Sequence, residues 1–109
     1  MLKKINRLGP VSLKNPRRIS VYYFSLSSAR NNLDTSRFAF IVSKKLDNRA
    51  VVRNSVKRKV RSCIEEIFDK IETGWDFVIH PKSKAIEADR ASILKEIKSV
   101  FQKQGFIND

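Results

Sequence analysis

The sequence predicts an α+β domain of two layers, a small mixed sheet with a long central helix and a C-terminal helix. Two observations carry this. Short runs rich in β-branched and aromatic residues, such as RFAFIVS and WDFVIH, alternate with longer stretches whose apolar residues recur every three or four positions. At 109 residues the chain is also long enough for one modest core and too short for two.

Taken in order, residues 1–16 form a basic N-terminal extension, broken at Gly9-Pro10 and without a sustained period, so extended or poorly ordered chain is expected there. Residues 17–109 are read as a single domain. Arg18 to Leu26 (RISVYYFSL) reads as a strand, and Ser27 to Ser36 as a polar loop. Arg37 to Ser43 reads as a second strand, with Phe38, Phe40 and Val42 on one side and Ala39 and Ile41 on the other. Both of its faces are expected to be buried, and the two strands to pair antiparallel across the loop. Asn48 is the expected N-cap of a helix from Arg49 to Glu72, with Gly74 as its stop. Trp75 to His80 (WDFVIH) gives a third strand, closed by Pro81. After a loop from Lys82 to Ala88, Asp89 caps a last helix whose apolar face is Ile93, Leu94, Ile97, Val100 and Phe101, and Gly105 ends it.

Charge is distributed unevenly. The chain carries 23 Lys/Arg against 11 Asp/Glu, a net charge of +12. The segment from Ser43 to Ser62 holds eight Lys/Arg and one acid, Asp47, whereas the residues from Cys63 onward are net acidic. A cationic density this local calls for a polyanion, and nucleic acid is the usual one. At about 100° per residue, Val52, Val56, Val60, Cys63 and Ile67 share one sector of the central helix and form its buried stripe. Arg53, Lys57 and Arg61 make an adjacent ridge, with Asn54 and Arg58 a step further round. The basic half is the N-terminal half, against the preference of the helix dipole, and so points to a functional requirement. Asn54 both donates and accepts hydrogen bonds, which suits a 2′-hydroxyl or a base edge. The competing reading is an ordinary solvated charged face.

Other chemistries find little support. No apolar run approaches the ~18 residues of a membrane span, so no membrane partner is expected. The single cysteine, Cys63, excludes an internal disulfide and suits a reducing cytoplasm. It falls on the apolar sector of its helix, and core packing explains it. His80 is the only histidine, and no His/Cys/carboxylate set has metal-ligand spacing. Helix capping explains Asp47 and Asn48 more simply than magnesium binding does.

The stretch from Phe38 to Arg61 resembles the bacterial ribonuclease P protein component. That family sets a strand ending in a Ser-Lys-Lys turn directly before a helix bearing an Arg-Asn signature, then Lys-Arg and a further Arg. Here these are Ser43-Lys44-Lys45, Arg53-Asn54, Lys57-Arg58 and Arg61. The resemblance implies a sheet crossed by the long helix through a left-handed connection, where general rules favour the right-handed one. It further implies a subunit that binds the catalytic RNA and precursor tRNA and promotes 5′ leader removal. Hydrolysis in the family belongs to the ribonuclease P RNA and its Mg2+, with no catalytic protein side chain and no small-molecule substrate. Arg53, Asn54, Lys57, Arg58 and Arg61 are then the expected RNA contacts, supported by Lys44, Lys45 and Arg49. Among Tyr22, Tyr23 and Phe24, an aromatic facing the leader would stack a base, worth ~1–3 kcal/mol; core packing is the equal alternative for each. Strand alternation places Tyr22 and Phe24 on one face and Tyr23 on the other.

Three departures from the family pattern stand out. Ser55 occupies the third position of the usual Arg-Asn-Arg, with Lys59 as a partial substitute from another side of the helix. The N-terminal helix with spaced phenylalanines looks deleted between Leu8 and Arg17. The strand at Trp75 ends in His80-Pro81 without the family's preceding Arg. The alternative function, from another class, is a non-enzymatic RNA-binding module such as a ribosome-associated protein; a stand-alone nuclease is more distant.

Overall fold

Strands β1 (Arg17–Ser20), β2 (Phe24–Arg30), β3 (Arg37–Phe40) and β4 (Trp75–Pro81) form one sheet in the order β1-β2-β4-β3. They are seen in a computed structural model that describes residues 2–3, 6–9 and 13–107. Helix α1 (Ala50–Ile67), a 3₁₀ turn (Phe68–Lys70), the short α2 (Lys84–Glu87) and α3 (Arg90–Lys103) complete the element order. Side chains of α1 and α3 share one core with Phe24, Leu26, Phe38, Phe40, Phe77 and Ile79 of the sheet, giving the two-layer α+β arrangement. The centre of that core is aromatic. Phe77, fully buried, lies 5.0 Å from Phe38, 5.2 Å from Phe101 and 5.0 Å from Phe106, centroid to centroid.

The strand expected from Arg18 to Leu26 is two strands. The chain turns at Val21 to Tyr23, where the Val21 N–H donates to the Phe24 carbonyl (2.9 Å). No Gly, Pro or Asn marks this turn; long-range partners hold it. The Tyr23 N–H donates to Glu96 of α3 (2.7 Å), the Tyr23 carbonyl accepts from the Lys82 N–H (2.8 Å), and the Lys82 ammonium donates to the Val21 carbonyl and the Ser20 hydroxyl. Local β-propensity therefore continues across a bend that tertiary contacts impose. β2 then extends to Arg30, through the first four residues of the expected loop.

The expected antiparallel pairing of the first two strands is replaced by insertion. β4 lies between them, antiparallel to β2 (Leu26 opposite Ile79) and parallel to β3 (Phe38 opposite Phe77). β4 carries the most continuously buried strand sequence, Asp76 to Ile79, and burial on both faces suits a central strand. β3 is instead an edge strand. Its Phe38 and Phe40 face the core, but Ile41 just beyond it is 44% exposed, so both faces are not buried.

Helix α1 begins at Ala50, and its N-cap position is Arg49, not Asn48. Asp47 does the local work, accepting the Arg49 N–H at 2.9 Å. The helix gives way to the 3₁₀ turn at Phe68, before the expected end at Glu72; Gly74, at φ +90°, serves the entry into β4. The segment from Lys82 to Ala88 holds α2 rather than loop alone. Asp89 caps α3 as expected, accepting the Ser92 N–H at 2.9 Å.

The described part of the N-terminal extension is packed against the domain. Leu2 and Leu8 are buried, the Leu8 N–H donates to the Phe38 carbonyl (2.8 Å), and the Asn6 amide donates to Thr35 Oγ1 and the Ser36 carbonyl. Burial of these two leucines, with the backbone and Asn6 hydrogen bonds, offsets part of the cost of ordering the segment. The Pro10 half of the Gly9-Pro10 break, and residues 11 and 12, lie outside the described residues.

A partly buried ion pair ties the start of β3 to β4. Arg37 donates to both Asp76 oxygens (2.8 and 2.7 Å), and Asn31 adds a third bond at 2.9 Å. Burial alone would push the Asp76 carboxyl up, but the hydrogen bonds from Arg37 and Asn31 and the Arg37 charge together hold it below the ordinary carboxylate range. A carboxyl lowered on folding stabilises above its unfolded pKa and loses that contribution as pH falls through its folded value. Acid unfolding should therefore steepen with Asp76 present as the pH falls below the ordinary carboxylate range. Asp76→Asn should flatten that limb in pH-dependent denaturant melts; an unchanged limb would show that the pair carries no pH-linked stability.

Candidate nucleic-acid interface

The buried stripe of α1 is Val56, Val60, Cys63, Ile64 and Ile67, with Val52 half-buried at its start. This fixes the roll of the helix. One flank then carries Arg53, Lys57 and Arg61 together with Asn54 and Arg58, as the angular spacing requires. Asn54, Arg58 and Arg61 are exposed, and Arg53 and Lys57 are half-buried at the helix border, the usual posture of long cationic stems lying along apolar surface. The first turn of α1 contains no acid and its last turn no base. Its side-chain charges thus run against its dipole.

Lys44 and Lys45 sit exposed in the turn before the helix, where the Leu46 N–H returns to the Ser43 carbonyl (3.1 Å). Asp47 organises the next residues. Arg49 grips both of its carboxylate oxygens (3.0 and 2.8 Å), while Arg53 donates to its backbone carbonyl (3.0 Å). Side-chain and backbone hydrogen bonds from Arg49 hold the Asp47 carboxyl down to about 2. The only acid of the Ser43 to Ser62 stretch is thus spent on Arg49. The structure brings all eight sequence-predicted cations and amides onto one turn and one helix flank.

Lys59 points elsewhere. Its ammonium donates to the carbonyls of Ile86 (3.0 Å) and Ala88 (2.7 Å), so it ties α1 to the α2–α3 connection. It does not stand in for the family Arg that Ser55 replaces. Arg90 fastens the same side, bonding Ser62 (2.8 and 3.0 Å) and Glu66 (2.9 Å). Only one side of the helix is cationic and open.

The three aromatics behave differently from strand alternation. Phe24 has no exposed surface and is core, so it is not available to a leader. Tyr23 is half-buried against the core, and Tyr22 is 58% exposed, meeting Tyr23 edge to face at 4.9 Å. The bend at Val21 to Tyr23 breaks the alternation. Cys63 is fully buried, and burial pushes its thiol up, as expected of a packing residue.

Sequence reasoning missed the sheet face turned away from the helices. Arg18, Ser27, Ile41, Val78 and His80 line a cleft of about 240 Å³ there, with Leu13 and Pro16 at its rim. Burial and the nearby Arg18 charge both lower the His80 pKa, favouring the neutral ring. The serines at alternate positions of FSLSSAR were the available signal for such a polar face. Among the described residues no three His, Cys, Asp or Glu gather where they could hold a metal. Asp47, with both oxygens engaged by Arg49, does not fit a protein-held magnesium.

Fold and site together define an α+β scaffold that presents a row of cations from one helix flank. Residues 2–105 match the family model described as Ribonuclease P, and the chain belongs to that family. It is 38% identical over 73 residues to the ribonuclease P protein component of Microcystis aeruginosa, covering 67% of this chain and 61% of that protein. It is 42% identical over 69 residues to the same component of Bacillus cereus strain G9842, covering 63% and 59%. The matched stretch thus spans about three fifths of the length of these curated relatives. Among solved structures, the Staphylococcus aureus RNase P protein superposes with a TM-score of 0.73 at 23% identity, covering 85% of this chain and 84% of that one. The Thermotoga maritima RNase P protein gives 0.74 at 24%, covering 82% and 84%. At these identities the two structures establish the shared fold.

Proposed function

We propose that this chain is the protein subunit of ribonuclease P, docking on the catalytic RNA and on precursor tRNA to promote removal of the 5′ leader in the cytoplasm. The observation that carries the reading is the open cationic flank of α1, Arg53, Asn54, Lys57, Arg58 and Arg61, continued by Lys44, Lys45 and Arg49. In this reading the hydrolytic chemistry belongs to the RNA and the magnesium ions it holds; this chain supplies position and charge. Two RNAs brought together repel through their phosphates. Fixed side-chain cations replace condensed counterions at the junction, so the benefit is greatest when magnesium is scarce. Family membership supports this reading over a ribosome-associated RNA binder.

Competition binding separates the two. The chain should prefer ribonuclease P RNA over an unrelated structured RNA of equal length at physiological salt, because docking by a fixed row of groups needs a matching phosphate geometry. Equal affinity for both RNAs would favour the general RNA binder.

A further inference from the structure

The junction between the Ser-Lys-Lys turn and helix α1 is built around one residue, Asp47. Its Oδ1 accepts the Arg49 N–H (2.9 Å) and Arg49 Nε (3.0 Å), and its Oδ2 accepts Arg49 Nη2 (2.8 Å). Its backbone carbonyl accepts Nη1 of Arg53 (3.0 Å). One acid therefore touches two cations of the flank, in a stretch of eight Lys/Arg that holds no other acid.

Starting the helix does not require this arrangement. The bond from the Arg49 N–H closes a turn that the side-chain carbonyl of an asparagine would close equally well. The carboxylate does more. Its two oxygens meet the Nε–Nη2 edge of the Arg49 guanidinium, an edge that clasps phosphates in the same bidentate way. Asp47 thus occupies the place of a phosphate. Its side chain is 13% exposed and that of Arg49 is 70% exposed, so the cation lies outermost with the carboxylate beneath it. Among the described residues Nη1 of Arg49 bonds nothing.

Such a tether acts unequally on different RNAs. The Arg49–Asp47 pair has no net charge, and the held side chain cannot swing toward whatever phosphate lies nearby. A phosphate placed where the free end of the fork reaches still meets N–H donors that are already oriented. An RNA that matches the cationic row loses little by the tether, whereas any other RNA loses one cationic contact.

We infer that Asp47 is a specificity-determining residue: an internal phosphate mimic that positions Arg49 and withholds it from RNAs whose phosphates do not fit the flank. This rests on the RNA-subunit reading above and adds a discriminating group to a surface otherwise built of attractions.

The test is salt-dependent binding of the full chain and its Asp47→Asn variant to ribonuclease P RNA and to an unrelated structured RNA of equal length. Asparagine keeps the turn and removes the charge. Affinity for the unrelated RNA should rise about threefold. Its slope of log affinity against log salt should steepen by ~0.7–0.9, one phosphate contact. Ribonuclease P RNA should gain less, so the preference falls. A merely structural Asp47 would move the melting temperature and leave the slope alone. In an Arg49→Met background most of the steepening should vanish, because Asp47 acts through Arg49. A slope unaltered by Asp47→Asn, steepening of the same size without Arg49, or an equal gain for both RNAs would overturn the inference. Such a failure with the unsubstituted chain still preferring ribonuclease P RNA would remove the role of Asp47 alone. Absence of that preference in the unsubstituted chain would instead remove the subunit reading.

Discussion

Replacing Arg53 and Lys57 together by alanine should weaken binding to the ribonuclease P RNA and flatten its salt dependence. Each phosphate contact contributes ~0.7–0.9 to the slope of log affinity against log salt, so two lost contacts should lower it by about 1.4–1.8. Near physiological salt the same loss corresponds to roughly tenfold or more in affinity. The substitutions should cost little stability, since both side chains lie at the border of the buried stripe and alanine favours the helix. Lys59→Ala is the internal control. Its ammonium is held by the Ile86 and Ala88 carbonyls, so the slope should stay near wild type while the connection between α1 and α3 loosens. A slope unchanged in the double variant, or lowered equally by Lys59→Ala, would place the RNA contacts elsewhere.

Phe77→Ala should be the most destabilising single change in the domain. Phe77 has no exposed surface and touches four other aromatic rings, those of Phe38, Trp75, Phe101 and Phe106. These come from β3, β4 and α3 and the segment after it, so its removal opens a cavity where both layers meet. Such truncations cost ~3–5 kcal/mol, a large part of the ~5–15 kcal/mol that a domain has. Thermal melts should drop by more than about 10 °C. Tyr22→Ala, at a 58% exposed position, should stay within about 0.5 kcal/mol of wild type. A small effect at Phe77 would mean that the aromatic cluster closes over the gap.

The cationic flank was legible in the sequence because helical geometry is local. A 3.6-residue period places Val56, Val60 and Cys63 inward, and Arg53, Lys57 and Arg61 follow from that roll. The cap at Asp89 and the strand from Trp75 were legible for the same reason, since cap chemistry and alternation act over a few residues. Sheet order was not. Nothing in RISVYYFSL signals a bend at Val21 to Tyr23, because the partners that impose it, Lys82 and Glu96, are distant in sequence. The insertion of β4 between β2 and β3 likewise depends on pairing across a long helix, which no local pattern encodes. Lys59 shows the limit at the site itself. Its charge looks the same in sequence as that of Lys57, and only the fold reveals that two backbone carbonyls already hold it.

The reading stands or falls on cleavage of precursor tRNA at low magnesium. Purified protein alone should leave the substrate intact, and ribonuclease P RNA alone should cleave it poorly under these conditions. The two together should release the 5′ leader and mature tRNA. Cleavage by the protein without the RNA, or no stimulation when the two are combined, would contradict the account.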